Sequence, residues 1–265
     1  MSDDQAAAPD PEADRALGKM SFMEHLGELR TRIMWSLVSA GVGIVIAFFI
    51  TDPATRFISR PLLSMKTELV FTSPTEAFWT WMKVAMVLGI FISMPGILFQ
   101  VWKFVSPGLH AHEKKYAAPF IITGSLLFLI GGAFAMLIII PYASTFLVTF
   151  GQEKGWKPML TVSSYTDFVI KFALAFGVVF ELPVVITILS LIGVVTPQFL
   201  SKNRKYAILV NFIIAAILTP TPDMINQTLM AGPLCILYEV GIICARLATR
   251  KRKTMTPPVE PASTA

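Results

Sequence analysis

Charge, cysteine and histidine are all scarce in this chain, and each shortage excludes something. Asp, Glu, Lys and Arg make up 15% of 265 residues, and there are 2 cysteines and 3 histidines. Cys235 and Cys244 fall in one expected helix, too far apart along its axis to bridge to each other, so neither a disulfide framework nor a CxxC redox or zinc pair is available. His25, His110 and His112 are dispersed over two segments and read as solvated interfacial histidines, not a metal site. The strings HExxH, GxSxG and GxxxxGK[ST] are missing, as are paired intramembrane aspartates. Proteolysis, acyl transfer and nucleotide hydrolysis therefore have no visible reagents, and the chain reads as a non-enzyme without cofactor or metal. The net charge of +5 is divided among short clusters between apolar runs, which is not the footprint of a nucleic-acid binder.

What is abundant is apolar surface: 54% of residues are hydrophobic and the mean hydropathy is +0.66. Several apolar runs approach the twenty residues that a spanning helix needs, so the fold class is an all-α integral membrane protein. Residues 1–20, acidic and proline-containing with no apolar core, are expected to be a disordered cytoplasmic tail. Residues 21–248 form the expected membrane domain, and 249–265 a basic, proline-containing cytoplasmic tail.

Within that domain SFMEHLGELRTRIMW reads as an amphipathic helix entering a first span over 33–50. Residues 53–66 are too short and charged to cross, with Pro61 breaking the run, and form a surface-lying cap. Ser73 to Glu76 reads as a capping box opening a second span to about Gln100, with Trp79 and Trp81 as interfacial anchors and Lys83 snorkelling outward. The third span covers about 120–140, bent or broken at Pro141. Ser164 and Asp167 form another capping box, with Asp167 spaced to pair with Lys171, and the fourth span follows. The fifth run, 206–218, is short, and the sixth, about 224–245, is interrupted by Asn226, Gln227, Gly232, Pro233 and Glu239. Six spans with helices 5 and 6 short describe a bundle cupped on one side.

Lysine and arginine set the orientation. Fifteen of the 22 flank the N-terminal side, the second and fourth loops and the C-terminal tail, against five on the other three loops. Both termini are therefore expected to be cytoplasmic.

Glu181 is the anomaly. It sits midway along DFVIKFALAFGVVFELPVVITILSLIGVV, about 20 Å or less from either end of the run. A charge at that depth costs on the order of 3 kcal/mol on insertion scales, so it faces protein or a wet cavity. Pro183 removes a helical donor two residues on. The pair reads either as helix-to-helix glue or as a functional intramembrane patch, and a proton-coupled small-solute transporter protonated at Glu181 is the alternative function. At the cytoplasmic surface Glu28 and Glu113 each lie among cations, Arg30 and Arg32 beside one, Lys114 and Lys115 beside the other. They are either ordinary surface ion pairs or one shared site. A carboxylate there accepts a guanidinium in a two-point fork that an ammonium cannot copy.

Four strings, HLGELRTR, QVWKFVSPGLHAHEKK, FGVVFELPVV and RKYAILVNFIIAAILTPTPDMINQTLMAGPLCILYE, occur in order from about residue 22 to 246. Together they resemble the TatC family, the polytopic subunit of the twin-arginine protein translocase of the bacterial inner membrane. The resemblance implies a receptor for twin-arginine signal peptides of folded proteins. It also implies assembly with TatB-like and TatA-like single-span proteins, self-association, and export driven by the proton-motive force. Carried over by motif, the signal-peptide site falls on Glu28, Arg30, Phe104 and Glu113. The intramembrane polar patch falls on Glu181, Pro183, Asp223 and Gln227, and Pro61 matches an outer-loop structural proline. The partners implied are those proteins, the peptides and the lipid bilayer, with no nucleic acid.

Overall fold

The computed structural model describes residues 22–64, 69–108, 117–218 and 224–255. The described chain is almost wholly helical: α1 (Phe22–Phe48), α2 (Thr51–Ser64), α3 (Pro74–Val105), α4 (Ala117–Phe134), α5 (Ile140–Glu153), α6 (Val162–Phe180), α7 (Leu182–Leu191), α8 (Pro197–Lys202), α9 (Arg204–Leu218) and α10 (Met224–Met255). Among the described residues, five stretches are long and apolar enough to cross a membrane: Met23–Phe48, Pro74–Val105, Ala117–Glu153, Val162–Leu191 and Gln227–Arg250. The fifth apolar run, α9, has 15 residues, about 22 Å of helix, which is short of a bilayer core of roughly 30 Å.

α1 and α3 pack antiparallel along their whole lengths, because glycines let the backbones close. Gly43 lies on the Gly89 carbonyl, and a Cβ on Gly89 would come within 2.6 Å of the backbone nitrogen of Ile44. At one end of this pair Phe48 meets Trp81, and at the other His25 stacks on Phe104. The face at which α1 begins is here called proximal and the opposite face distal. α6 packs on α4 in the same manner, Gly131 lying against the Phe176 carbonyl. A second core cluster gathers Ile139, Ile140, Val169, Phe172, Phe176, Ala215 and Met230 under the cap helix residue Leu62.

Several local expectations are corrected. Pro61 does not break α2, which runs through it to Ser64 with Pro61 half-buried; the lost helical bond falls near the helix end, where few carbonyls follow. Pro141 does not break the third span either. A π-helical turn, Ala135–Ile139, precedes it, and that wider turn accommodates a residue with no N–H, so α4 and α5 form one apolar stretch of 37 residues. Ser73 makes no side-chain cap to α3. The helix start is instead held by Glu76, whose Oε2 accepts the Thr72 N–H at 2.7 Å and its hydroxyl at 3.0 Å. The cap of α6 is Thr161, which accepts the Ser164 N–H at 3.1 Å, and not Ser164 itself.

The distal face is cross-braced. A short parallel pairing, Leu69 to Leu160 and Val70 to Thr161, joins β1 (Leu69–Val70) to β2 (Leu160–Thr161). Glu76 Oε1 accepts the Ser163 N–H at 2.9 Å, the Tyr165 hydroxyl donates to the Ile58 carbonyl at 3.1 Å, and the Trp81 indole donates to Asp52 at 2.8 Å. Lys83, whose side chain is 43% exposed, bonds both oxygens of Asp167, at 2.7 and 3.0 Å, linking α3 to α6. Asp167 is thus engaged across the bundle, not one turn on with Lys171, because the parallel neighbour α3, which starts at the same face, brings the Lys83 ammonium within reach.

Candidate functional site

The proximal face holds Glu28 seven residues into α1, where the amphipathic segment passes into the span. Arg32, one turn on, donates from Nη2 to Glu28 Oε1 at 3.0 Å, with side chains 25% and 16% exposed. The other carboxylate oxygen, Oε2, is buried and has no hydrogen-bond partner among the described residues. The same holds for Arg32 Nε and Gln100 Oε1. The antiparallel register of α1 on α3 sets Gln100 level with Arg32. Buried polar atoms are nearly always paired, so each of these three atoms calls for a partner beyond the described residues.

Phe104 stands at the same face, its ring stacked on His25 at 4.5 Å between centroids and 18° between planes. That stack roofs the turn of α1 preceding Glu28. Next to Phe104 on α3, Lys103 holds its ammonium at 4.5 Å over the ring of Phe99, one turn back. Arg30 is exposed on α1. Glu113 lies outside the described residues. Of the four residues carried over for the surface site, the structure therefore brings Glu28 and Phe104 to one face, with Arg30 open to the surroundings beside them.

Glu181 is at the junction of α6 and α7, 7% exposed, in a single non-helical turn residue created by Pro183. Val184 and Val185 N–H groups bond the Glu181 carbonyl at 3.0 and 2.9 Å, so the backbone re-forms at once. The side chain points at α4: a Cβ on Gly124 would meet Glu181 Oε2 at 3.0 Å and Oε1 at 3.4 Å, with the Leu98 methyl of α3 at 2.7 Å. Both oxygens are buried without a hydrogen-bond partner among the described residues. A small residue at 124 is what leaves room for the carboxyl.

The other members of the expected patch are separate. Gln227 donates its amide to the Phe212 carbonyl at 3.2 Å, tying α10 to α9. Asp223 lies outside the described residues. Pro183 is buried, and its carbonyl accepts the Thr187 hydroxyl at 2.7 Å. Glu239 is held by Arg204, 2.7 Å from Oε1 and 2.8 Å from Oε2, a two-point fork that fastens α9 to α10. Among the described residues no group of three or more His, Cys, Asp or Glu could hold a metal ion.

Arg32, Gln100 and His25 were not among the sequence-derived site residues. Arg32 is the one with a readable signal, since an acid and an arginine four apart on a helix are neighbours. Gln100 and His25 reach the site only through helix packing.

The fold and the site define a multi-spanning helical membrane protein with a half-satisfied acid, Glu28, at one face, and sequence comparisons place it in protein translocation. The family model described as Sec-independent protein translocase protein (TatC) matches residues 24–233. A Sec-independent protein translocase protein TatC from Carboxydothermus hydrogenoformans is 44% identical over 232 residues, 88% of this chain and 95% of that one. The one from Koribacter versatilis is 38% identical over 247 residues, covering 91% and 90%. A crystal structure of a twin-arginine translocase receptor, TatC, superposes with a TM-score of 0.73 at 40% identity, over 85% of this chain and 100% of that one. The chain belongs to the TatC family: a multi-pass membrane protein of the Tat protein-translocation system, a transport family and not an enzyme family.

Proposed function

We propose that this chain is the signal-peptide receptor of a twin-arginine translocase, reading an arginine pair at the proximal face and passing the peptide's apolar stretch toward Glu181. The observation that carries the reading is the state of Glu28, one oxygen fixed by Arg32 and the other buried without a described partner. A carboxylate held this way offers a directional acceptor to a planar guanidinium. Glu113, with Lys114 and Lys115, supplies the second acid for the second arginine. Phe104 on His25 closes the apolar side of the site, and Arg30 orders its surface.

In this reading six spans cross the bacterial inner membrane with both termini cytoplasmic, α9 serving as a short fifth span, and the bundle is cupped. The basic proximal flanks support that orientation. Short α9 and the polar-interrupted α10 thin the bilayer locally. Glu181, Pro183, Asp223 and Gln227 form a polar face for TatB-like and TatA-like single spans, the chain self-associates, and the proton-motive force drives export. The domain boundaries are a disordered tail to residue 20, a membrane domain to 248, and a cytoplasmic tail beyond into which α10 extends to Met255. Pro61 stiffens the cap of the outer surface.

The test is retention of a signal peptide by the purified full chain. A peptide carrying Arg-Arg is retained and the same peptide carrying Lys-Lys is not; equal retention overturns the reading.

A further inference from the structure

α6 exposes only three of its residues, Ser164, Lys171 and Val178, and their spacing of seven puts them on one side of the helix. Lys171 is therefore turned out of the bundle within a stretch long and apolar enough to span, Val162–Leu191. It lies about 8 Å from the midpoint of that stretch, inside a hydrocarbon half-thickness of roughly 15 Å. A cation at that depth is costly unless an acid meets it, and such residues commonly pair with one another. Among the described residues Lys171 has no hydrogen bond, ion pair or aromatic ring to hold its ammonium.

The nearest acid is taken. Asp167, one turn closer to the distal face, has both oxygens on Lys83. Side chains on α6 lean toward its N-terminus, so Lys171 leans toward the level of a pair that is already neutral. Lys83, Asp167 and Lys171 together sum to one positive charge. On α3, Trp79 and Met86, one turn to either side of Lys83, are exposed as well, so the apolar surface continues from α6 onto its neighbour. None of these residues belongs to the polar patch assigned above, where Glu181 turns to α4 and Gln227 bonds α9. The result is an apolar face of two spanning helices with one uncompensated cation in its distal half.

We propose that this face docks a single-span helix carrying one carboxylate in the distal half of its apolar stretch, and that the carboxylate pairs with Lys171. The occupant is a helix and not a lipid, because a helix brings its side chains into the hydrocarbon, whereas an anionic headgroup stays at the edge. The proposal rests on the reading that single spans associate with this protein, and its test separates the two. The purified full chain is placed in phosphatidylcholine vesicles, which supply no anionic headgroup. Energy transfer then reads its association with a synthetic Leu-Ala spanning helix bearing one Glu near an end of its apolar stretch, or Gln at the same place. The wild-type chain binds the Glu helix roughly threefold to tenfold more tightly, the scale of one polar contact between spanning helices. Lys171→Gln binds both helices alike at the weaker affinity, and Lys171→Glu comes to prefer a helix with Lys at that place. Lys171 is exposed and makes no contact that its loss would break, so these variants keep the wild-type melting temperature. Equal affinity of the wild-type chain for the Glu and Gln helices overturns the pairing alone, as does a preference for Glu that persists in Lys171→Gln. Binding of neither helix overturns the docking of single spans and the pairing with it. Added phosphatidylglycerol leaves the preference in place; its loss there assigns Lys171 to lipid and overturns the proposal.

Discussion

Glu76 and Glu28 both lie in the first turns of long spanning helices, and the molecule treats them in opposite ways. Glu76, on the distal face, is saturated: its two oxygens accept from Thr72 twice and from Ser163, and they bind the first loop to the start of α6. Glu28, on the proximal face, has one oxygen on Arg32 and one with no partner among the described residues. Around Glu76 most charged and indole groups are matched as well, Lys83 with Asp167 and Trp81 with Asp52, although the buried Thr80 hydroxyl one turn on has no described partner. Around Glu28 they are not, since Arg32 Nε and Gln100 Oε1 share its condition. The distal acid is fully engaged, while the proximal acid lies among three buried polar atoms without a partner in the described residues.

That contrast can be broken by exchanging what each acid does. The largest effect falls on binding: Glu28→Gln should weaken an Arg-Arg signal peptide roughly tenfold to a hundredfold, the scale of one charge-assisted bond, while leaving the melting temperature in detergent unchanged or raised. A calorimetric titration of the peptide alongside a thermal melt checks both halves. Glu76→Ala should do the reverse, keeping peptide affinity while lowering the melting temperature and exposing the turn at 71–73 to protease, because three donors lose their acceptor at once.

Glu181→Leu sharpens the comparison inside the membrane. Removing a buried carboxyl whose oxygens lack described partners should be neutral or stabilising by on the order of 1 kcal/mol, and surface peptide binding should survive while association with single-span partners or export in cells declines. Thermal unfolding together with co-purification of the partners reads it. The smallest effect belongs to Lys83→Met: its pair with Asp167 is 43% and 40% exposed, so the loss should stay below about 1 kcal/mol. A double-mutant cycle with Asp167→Asn gives that coupling directly.

Much of this was legible from the order of residues. Glu181 declared itself by depth alone, because hydropathy and helix rise place a residue along the bilayer normal without any knowledge of packing. The clustered Lys and Arg set out the proximal flanks in the same way. What failed were partnerships that one helix cannot see. Asp167 looked one turn ahead to Lys171, but the closer ammonium was Lys83 on α3, which no local spacing reveals. Ser73 and Glu76 read as a reciprocal box, yet Glu76 turned to Thr72 and across to Ser163. Pro141 read as a break or a bend, and the break did not occur because of a π-turn ahead of it that leaves no mark in hydrophobic pattern. At the candidate site, Glu28 and Phe104 were readable as motif residues, and the Arg32 bond from its spacing of four along α1; the His25 stack and the placement of Gln100 arise only when α1 lies on α3.

The most direct measurement is a cycle of affinities: Arg-Arg and Lys-Lys peptides, each titrated against the wild-type chain and against Glu28→Gln in the same bilayer. A guanidinium reader predicts a large preference for arginine in the wild type that collapses toward equality in the variant. If the ratio of the two affinities is the same in both chains, Glu28 does not discriminate between the cations and the account of the proximal face is wrong.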